Sequence, residues 1–227
     1  TSLTINKPSG TAQNDLLLAM VVHNTNDGSI SAPVGWIKID EGYSGSGSGN
    51  IRLGVFYKVA GASEPANYTF TWSGGEPAVG GILRYSGVEI TDPIDVWDSD
   101  TGNSLSPTAP SVVTTILNTM VVRLCGVDSV DWDLVAPPIN TPYPLGLNAR
   151  FHLEADGTCS GGAADLAQAT IGATGNASFV LTGDNERWRA VTVAINPSYI
   201  DALSGSQPTV TVTAPDWYTS DATADSW

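Results

Sequence analysis

The chain has 227 residues, with nine basic side chains against 23 acidic ones and a formal charge of −14. A surface this acidic repels phosphate backbones and anionic bilayers, so neither nucleic acid nor a membrane is an expected partner. Charged residues make up only 14 % and glycines number 24, which, with abundant Thr, Ser, Val and Pro, points to strands and turns rather than helices.

This length suits one large all-β domain or two small ones, and buries a sizeable core without a metal or a disulfide framework. The longest apolar run, Leu16 to Val22, falls far short of the ~20 residues that cross a bilayer. With neither a secretion signal nor an initiator Met, the chain is expected to be processed or a fragment.

In chain order, Ser2 to Lys7 reads as a first strand ended by Pro8-Ser-Gly10. Asp15 to His23 is a continuous apolar strand of the kind buried on both faces or under a loop. Trp36 to Asp40 alternates, and Gly42 to Asn50 is a flexible hairpin tip. Arg52 to Val59 and Tyr68 to Trp72 are strands of period two. Val79 to Gly87 is another, its paired glycines signalling a bulge or a close backbone approach. Asp98 to Pro107 reads as a long surface loop, and Asp165 to Ala169 as one helical turn.

The second half then repeats landmarks of the first. Ala109 to Ile116 takes the place of the first strand, and Asn118 to Cys125 that of Asn14 to Val22. Asn148-Ala-Arg-Phe151 matches Asn50-Ile-Arg-Leu53, Ile171 to Gly183 matches Ala60 to Gly74, and Trp188 to Ile195 matches Val79 to Tyr85. Two halves of four or five strands are too thin to stand alone, since each has an apolar face to cover. The expected fold is therefore all-β: a two-sheet antiparallel β-sandwich, jelly-roll-like, into which the halves interleave strands. The sandwich domain spans residues 1–197, with pseudo-equivalent halves of about 1–97 and 105–197. A linker and C-terminal arm fill 198–227.

The segments NDLLLAMVV (14–22), PVGW (33–36), LGVFYKVAGASEPANYTFTW (53–72) and GGILRYSGV (80–88) followed by DPIDV (92–96) carry a likeness. Together they resemble a β-sandwich module of bacteriophage structural proteins (tail, fibre and head-surface components) and of repetitive secreted surface proteins of bacteria. The likeness is dense from Leu3 to Val96 and sparser to Pro197. It implies a building part and carries no catalytic motif.

The chemistry-bearing residues are few. His23 and His152 lie in strand-like runs with no zinc-binding spacing, and read as structural or surface histidines. The serines of GYSGSGSGN miss the nucleophile-elbow spacing. Asp95, Asp98 and Asp100, beside Asp92, form an acidic cluster that a Ca²⁺ site or a set of solvated turns explains. Asp128, Asp131 and Asp133 form a second. Cys125 and Cys159 stand either as a bridge worth ~3–4 kcal/mol or as two separate thiols. Trp72 and Trp188 belong to the core, and Trp36 packs over a sheet end. Trp97, Trp132, Tyr143, Trp217, Tyr218 and Trp227 are the aromatics placed to meet a glycan or a partner protein.

At the C-terminus, Ser204-Gly-Ser-Gln-Pro208 reads as a linker and Thr209 to Thr213 alternates cleanly. A strand this short needs the edge of its own sandwich or of a neighbour's. The expected function is non-enzymatic: a structural protein of a phage exterior, either head decoration or tail and fibre component, joined to other virion proteins or to its own copies. A secreted adhesin or carbohydrate-binding module is the alternative. Either reading places the chain on a virion surface or outside the cell, with no cofactor other than Ca²⁺.

Overall fold

The computed structural model of the chain describes residues 1–24, 28–45, 50–128, 144, 146–155, 158–181, 183–199, 205 and 208–210. The first half supplies β1 (Ser2–Asn6), β2 (Leu16–His23), β3 (Ile37–Ser44), β4 (Ile51–Val59), β5 (Asn67–Thr71), β6 (Ala78–Ser86) and β7 (Ile94–Ser104). The second supplies β8 (Thr108–Ala109), β9 (Val113–Thr114), β10 (Thr119–Val127), β11 (Asn148–Ala155), β12 (Cys159–Gln168), β13 (Gly172–Ala173), β14 (Ala177–Ser178), β15 (Glu186–Ile195) and β16 (Thr209–Val210).

Two five-stranded antiparallel sheets result, ordered β16-β6-β2-β4-β3 and β7-β15-β10-β12-β11. Position by position the two orders correspond. The central strands β2 and β10 are each flanked by the strands corresponding to one another, and β3 corresponds to β11. The outermost positions break the separation of the halves: β7 closes the sheet of the second half, and β16 closes that of the first. Each half thus gives its last strand to the other, and interleaving is confined to that one exchange.

The echo between Asn14 and Asn118 has a backbone cause. Both adopt left-handed φ, at 72° and 60°, just before the central strand. Asn tolerates that region better than most residues do. The backbone N–H of Asn14 donates to Ala60 O, and that of Asn118 to Ala169 O, so the start of each central strand is tied to the end of the neighbouring one.

The layers explain why β2 and β10 are buried along their whole length. Their inward residues (Leu16, Leu18, Met20 and Val22 against Met120, Val122 and Leu124) meet between the sheets with Leu53, Val55, Leu83, Phe151, Val191 and Val193. Each such side chain contributes about 1.5–3 kcal/mol on burial. Gly81 permits close approach of the sheets, because a Cβ there would lie 2.8 Å from the Phe151 ring. The outward residues of β2 lie under the β1–β5 ribbon, among Leu3, Ile5, Trp36, Phe56, Tyr68, Phe70 and Trp72. Those of β10 lie under a broken ribbon, β8 pairing with β14 and β9 with β13, among Ala109, Phe179, Leu181 and Trp188.

Three expectations change. Asp98 to Pro107 is not a loop over most of its length: residues up to Ser104 belong to β7, the longest strand, whose pairing with β15 overrides a run of Asp, Ser, Gly and Asn with little intrinsic strand preference. Asp165 to Gln168 completes β12 rather than a helical turn, because β10 supplies a ladder partner throughout. Asn148 opens the edge strand β11, equivalent to β3, whereas Asn50 precedes β4, so that landmark is out of step by one strand.

Candidate functional site

The free surfaces of the sandwich are its edges. Both β3 and β11 are edge strands, and each carries a bulge, between Lys38 and Asp40 and between Ala149 and Phe151. A charged side chain at each bulge is tied to a buried partner. Arg189 of β15 donates from Nη2 to Asp40 Oδ2 at 2.5 Å and to Ser99 Oγ of β7 at 2.7 Å. Arg150 makes a bidentate pair with Asp165, at 2.7 and 2.6 Å, and the Tyr85 hydroxyl of β6 donates to the same carboxylate at 3.0 Å. Burial and that carboxylate push the Tyr85 phenol well above its ordinary range, so it stays a donor. Arg189 on Asp40 joins the sheets at one seam, and Tyr85 on the Arg150-paired Asp165 joins them at the other. Bulges and inward charges also discourage pairing with a foreign strand, so β3 and β11 are blunted edges.

The β7 edge is different in character. Trp97 is 43 % exposed and shares the inner face of β7 with Ser99, at the seam where β3 lies nearby. Asp98 and Asp100 are exposed and accept the backbone N–H groups of Ser99 and Thr101, both at 2.8 Å. Asp95 sits at the β7 bulge and accepts from Thr115 through both its N–H (2.8 Å) and its hydroxyl (2.5 Å). The three carboxylates proposed for Ca²⁺ are therefore strung along an extended strand, where alternate residues lie about 7 Å apart. Among the described residues no three His, Cys, Asp or Glu side chains form a group able to hold a metal ion.

The two cysteines are free and buried. Cys125 faces the outer core beneath the broken ribbon, whereas Cys159 faces the core between the sheets. Opposite faces of one sheet rule out a bridge, so of the two alternatives it is the separate thiols that hold and the possible disulfide that is corrected. Burial pushes the Cys159 thiol up to about 12 and Cys125 well above its usual value, so neither is a thiolate at neutral pH.

Two further buried polar groups stand out, Arg123, which sequence reasoning passed over, and His23, which it took as structural or surface. Arg123, in the middle of β10, donates to Pro110 O (2.7 Å), Gly175 O (2.8 Å), Thr174 O (3.3 Å) and the Thr192 hydroxyl. Burial lowers its pKa to about 10, so it stays charged at neutral pH. The clue was a lone arginine inside NTMVVRLCG, a run otherwise free of charge. In the other half, His23 is fully buried and stacks on Trp72 at 5.1 Å with parallel rings. Burial, aided by the Arg52 charge and partly offset by Glu41, pushes its pKa down to about 4. Among the described residues neither ring nitrogen of His23 has a hydrogen-bond partner, and nor does Trp72 Nε1. His152 is likewise lowered to about 4 by burial, and burial raises Asp128 to about 6 against the pull of Arg187.

The remaining edge is built by the chain's own crossovers. The 87–93 connection, leading to β7, and the segment after β15 run past one another. Glu89 N–H donates to Asn196 O at 3.0 Å, Ser198 N–H to Gly87 O at 2.8 Å and Asn196 N–H to Pro93 O at 2.9 Å. The Asn196 amide reaches Asp92 O at 2.7 Å. From there the chain lays β16 against β6, pairing Thr209 with Ser86 and Val210 with Tyr85. Trp132, Tyr143, Trp217, Tyr218, Trp227, Asp131 and Asp133 lie outside the described residues.

Compared with known proteins, the chain matches no family model, no curated protein and no solved structure.

Proposed function

We propose that this chain is a non-enzymatic structural module of a bacteriophage exterior, a head-decoration protein or a tail or fibre component, that works by protein–protein contact. The observation that carries the reading is the pair of sheets that exchange strands, joined across their seams by Arg189 on Asp40 and by the Tyr85 hydroxyl on Asp165. Such a block is rigid and presents mainly strand edges and loops to its surroundings. The resemblance of residues 3–96 to phage and bacterial surface modules supports it, as does a net charge that keeps the surface soluble. The test is quantitative mass spectrometry and antibody labelling of purified particles from the source. The chain is expected in a fixed copy number per particle, and its absence from every particle fraction counts against the proposal.

One observation favours a second reading, a secreted adhesin or carbohydrate-binding module. Trp97 offers a partly open indole on an edge strand, a flat apolar face suited to stacking on a sugar. Titration with soluble polysaccharides is then expected to quench tryptophan fluorescence, and Trp97→Ala to abolish the change. Quenching that persists in Trp97→Ala removes Trp97 from the reading.

A further inference from the structure

The crossover from β6 to β7 contains a bond of unusual chemistry. Asp92-Pro93 is the only Asp-Pro pair in the sequence. Such a pair is predisposed to internal acyl transfer for two reasons. The Asp carboxylate reaches its own carbonyl carbon through a five-membered ring. The proline nitrogen carries no amide hydrogen and leaves as a secondary amine, a good base, once it takes a proton.

The fold adds to this predisposition. Asn196, which follows β15 and is 4 % exposed, spans the bond. Its side chain donates from Nδ2 to Asp92 O at 2.7 Å, and its backbone N–H donates to Pro93 O at 2.9 Å. Its own carbonyl accepts the Glu89 N–H at 3.0 Å. Backbone bonds on both sides of the linkage thus fix the donor that lies on the Asp92 carbonyl. Among the described residues Asn196 Oδ1 has no hydrogen-bond partner, so the Nδ2 contact alone orients the amide. Upstream, the Glu89 carboxylate accepts the N–H of Thr91 at 3.0 Å and its hydroxyl at 2.8 Å, which holds the turn. Asp92 itself is exposed, and among the described residues its carboxylate has no hydrogen-bond or ion-pair partner. The nucleophile is therefore unengaged, and water reaches it.

We propose that Asp92-Pro93 is a self-cleavage site, with Asp92 as nucleophile and the Asn196 amide as oxyanion donor. An Asp92 carboxylate oxygen attacks the Asp92 carbonyl carbon and closes a cyclic anhydride. The negative charge that develops on the carbonyl oxygen is met by Asn196 Nδ2, which stands at the distance such a donor requires. The C–N bond breaks, and the proline nitrogen takes a proton from solvent. Water then opens the anhydride, leaving Asp92 as a new C-terminus and Pro93 as a new N-terminus. One water is consumed, and nothing is oxidised or reduced. The cut parts β1–β6 from β7–β16, while the core built from both pieces keeps them together. The step acts once per chain, and it goes beyond the assembly reading without depending on it.

The test follows the full-length chain by mass spectrometry at neutral and mildly acidic pH, beside the same chain unfolded in guanidinium. The unfolded chain keeps the Asp-Pro bond but loses the Asn196 donor, so folding is expected to speed cleavage at this bond at least about tenfold. Cleavage that is equal or slower in the folded chain, or absent from both, overturns the proposal. Asp92→Glu keeps the charge but enlarges the ring, and is expected to abolish the fragments. Asn196→Leu keeps the backbone bonds and removes the donor, and is expected to slow cleavage about a hundredfold. An unchanged rate in folded Asn196→Leu overturns the proposal, and the comparison of folded with unfolded chain needs no variant at all.

Discussion

The two outer layers solve one packing problem by opposite means. In the first half the β1–β5 ribbon is unbroken, and the β2 position beneath it is Ala19, flanked by Phe56 and Ile82. Trp36 meets Tyr68 and Phe70 edge-on there, at 5.0 and 5.5 Å. In the second half Pro110 interrupts the ribbon and splits it into two-residue pieces, as expected of a residue that cannot donate to a ladder. Three carbonyls around the break, of Pro110, Thr174 and Gly175, turn inward. The residue equivalent to Ala19 is Arg123, and its guanidinium satisfies all three. The residues flanking it shrink to Ala164 and Thr192, which makes room. A sheet face can thus be closed by aromatic volume or by a buried donor, and a ribbon with gaps requires the donor.

The largest effect in this contrast is expected of Phe70→Ala, which opens a cavity in the aromatic layer at a cost of about 3–5 kcal/mol. Restoring apolar volume with Phe70→Leu is expected to recover much of that loss, whereas no apolar residue rescues position 123. Next comes Arg123→Leu. It removes the guanidinium from Thr174 O and Gly175 O and leaves Pro110 O to the Thr192 hydroxyl alone, at about 1–3 kcal/mol for each group left unsatisfied, so a loss of about 2–4 kcal/mol is expected in urea unfolding. A loss below about 1 kcal/mol breaks the comparison.

A third difference concerns acid. His23 and His152 have pKa values near 4 when folded and near 6.5 when unfolded. As pH falls from about 6.5 towards 4, the unfolded chain binds protons that the folded chain refuses, so stability falls through that window. Asp128, raised to about 6, acts in the opposite sense, relieving strain as it protonates between about 6 and 3.8. The two buried histidines outweigh the half-buried Asp128, so the net expectation is a decrease in stability between pH 7 and pH 4.5. His23→Gln is expected to flatten the slope, measured as urea midpoints across pH, and an unchanged slope removes His23 as a contributor. The smallest effect is expected at the seam. A Cβ on Gly42 would lie 2.6 Å from the Arg189 guanidinium carbon, so Gly42→Ala displaces Arg189 from Asp40 and Ser99. Thermal unfolding is expected to register about 1–2 kcal/mol.

Much of this fold was legible in the sequence because core strands carry their own signal. The apolar runs of β2 and β10, with an asparagine before each, mark the centres of both sheets and the repeat that relates them. What escaped was set by pairing rather than composition. Asp98-Ser-Asp-Thr-Gly-Asn-Ser has little to hold it extended on its own, and becomes a strand because β15 offers an edge. Asp95, Asp98 and Asp100, for which a calcium site and solvated turns both stood open, are strung apart by the same extended backbone. The bridge between Cys125 and Cys159 was left open by loop length alone, because which face of the sheet each thiol takes is not written in their spacing. Arg123 was visible as a charge in a buried run, but its purpose depends on carbonyls from three distant segments.

The exchange of last strands is the claim on which the rest depends, and β7 is where it is most directly measured. Amide hydrogen exchange resolved by residue is expected to show alternate N–H groups from Val96 to Asn103 protected like those of β15, with the intervening ones open to solvent. Uniformly fast exchange across this stretch, as in a surface loop, would contradict the account.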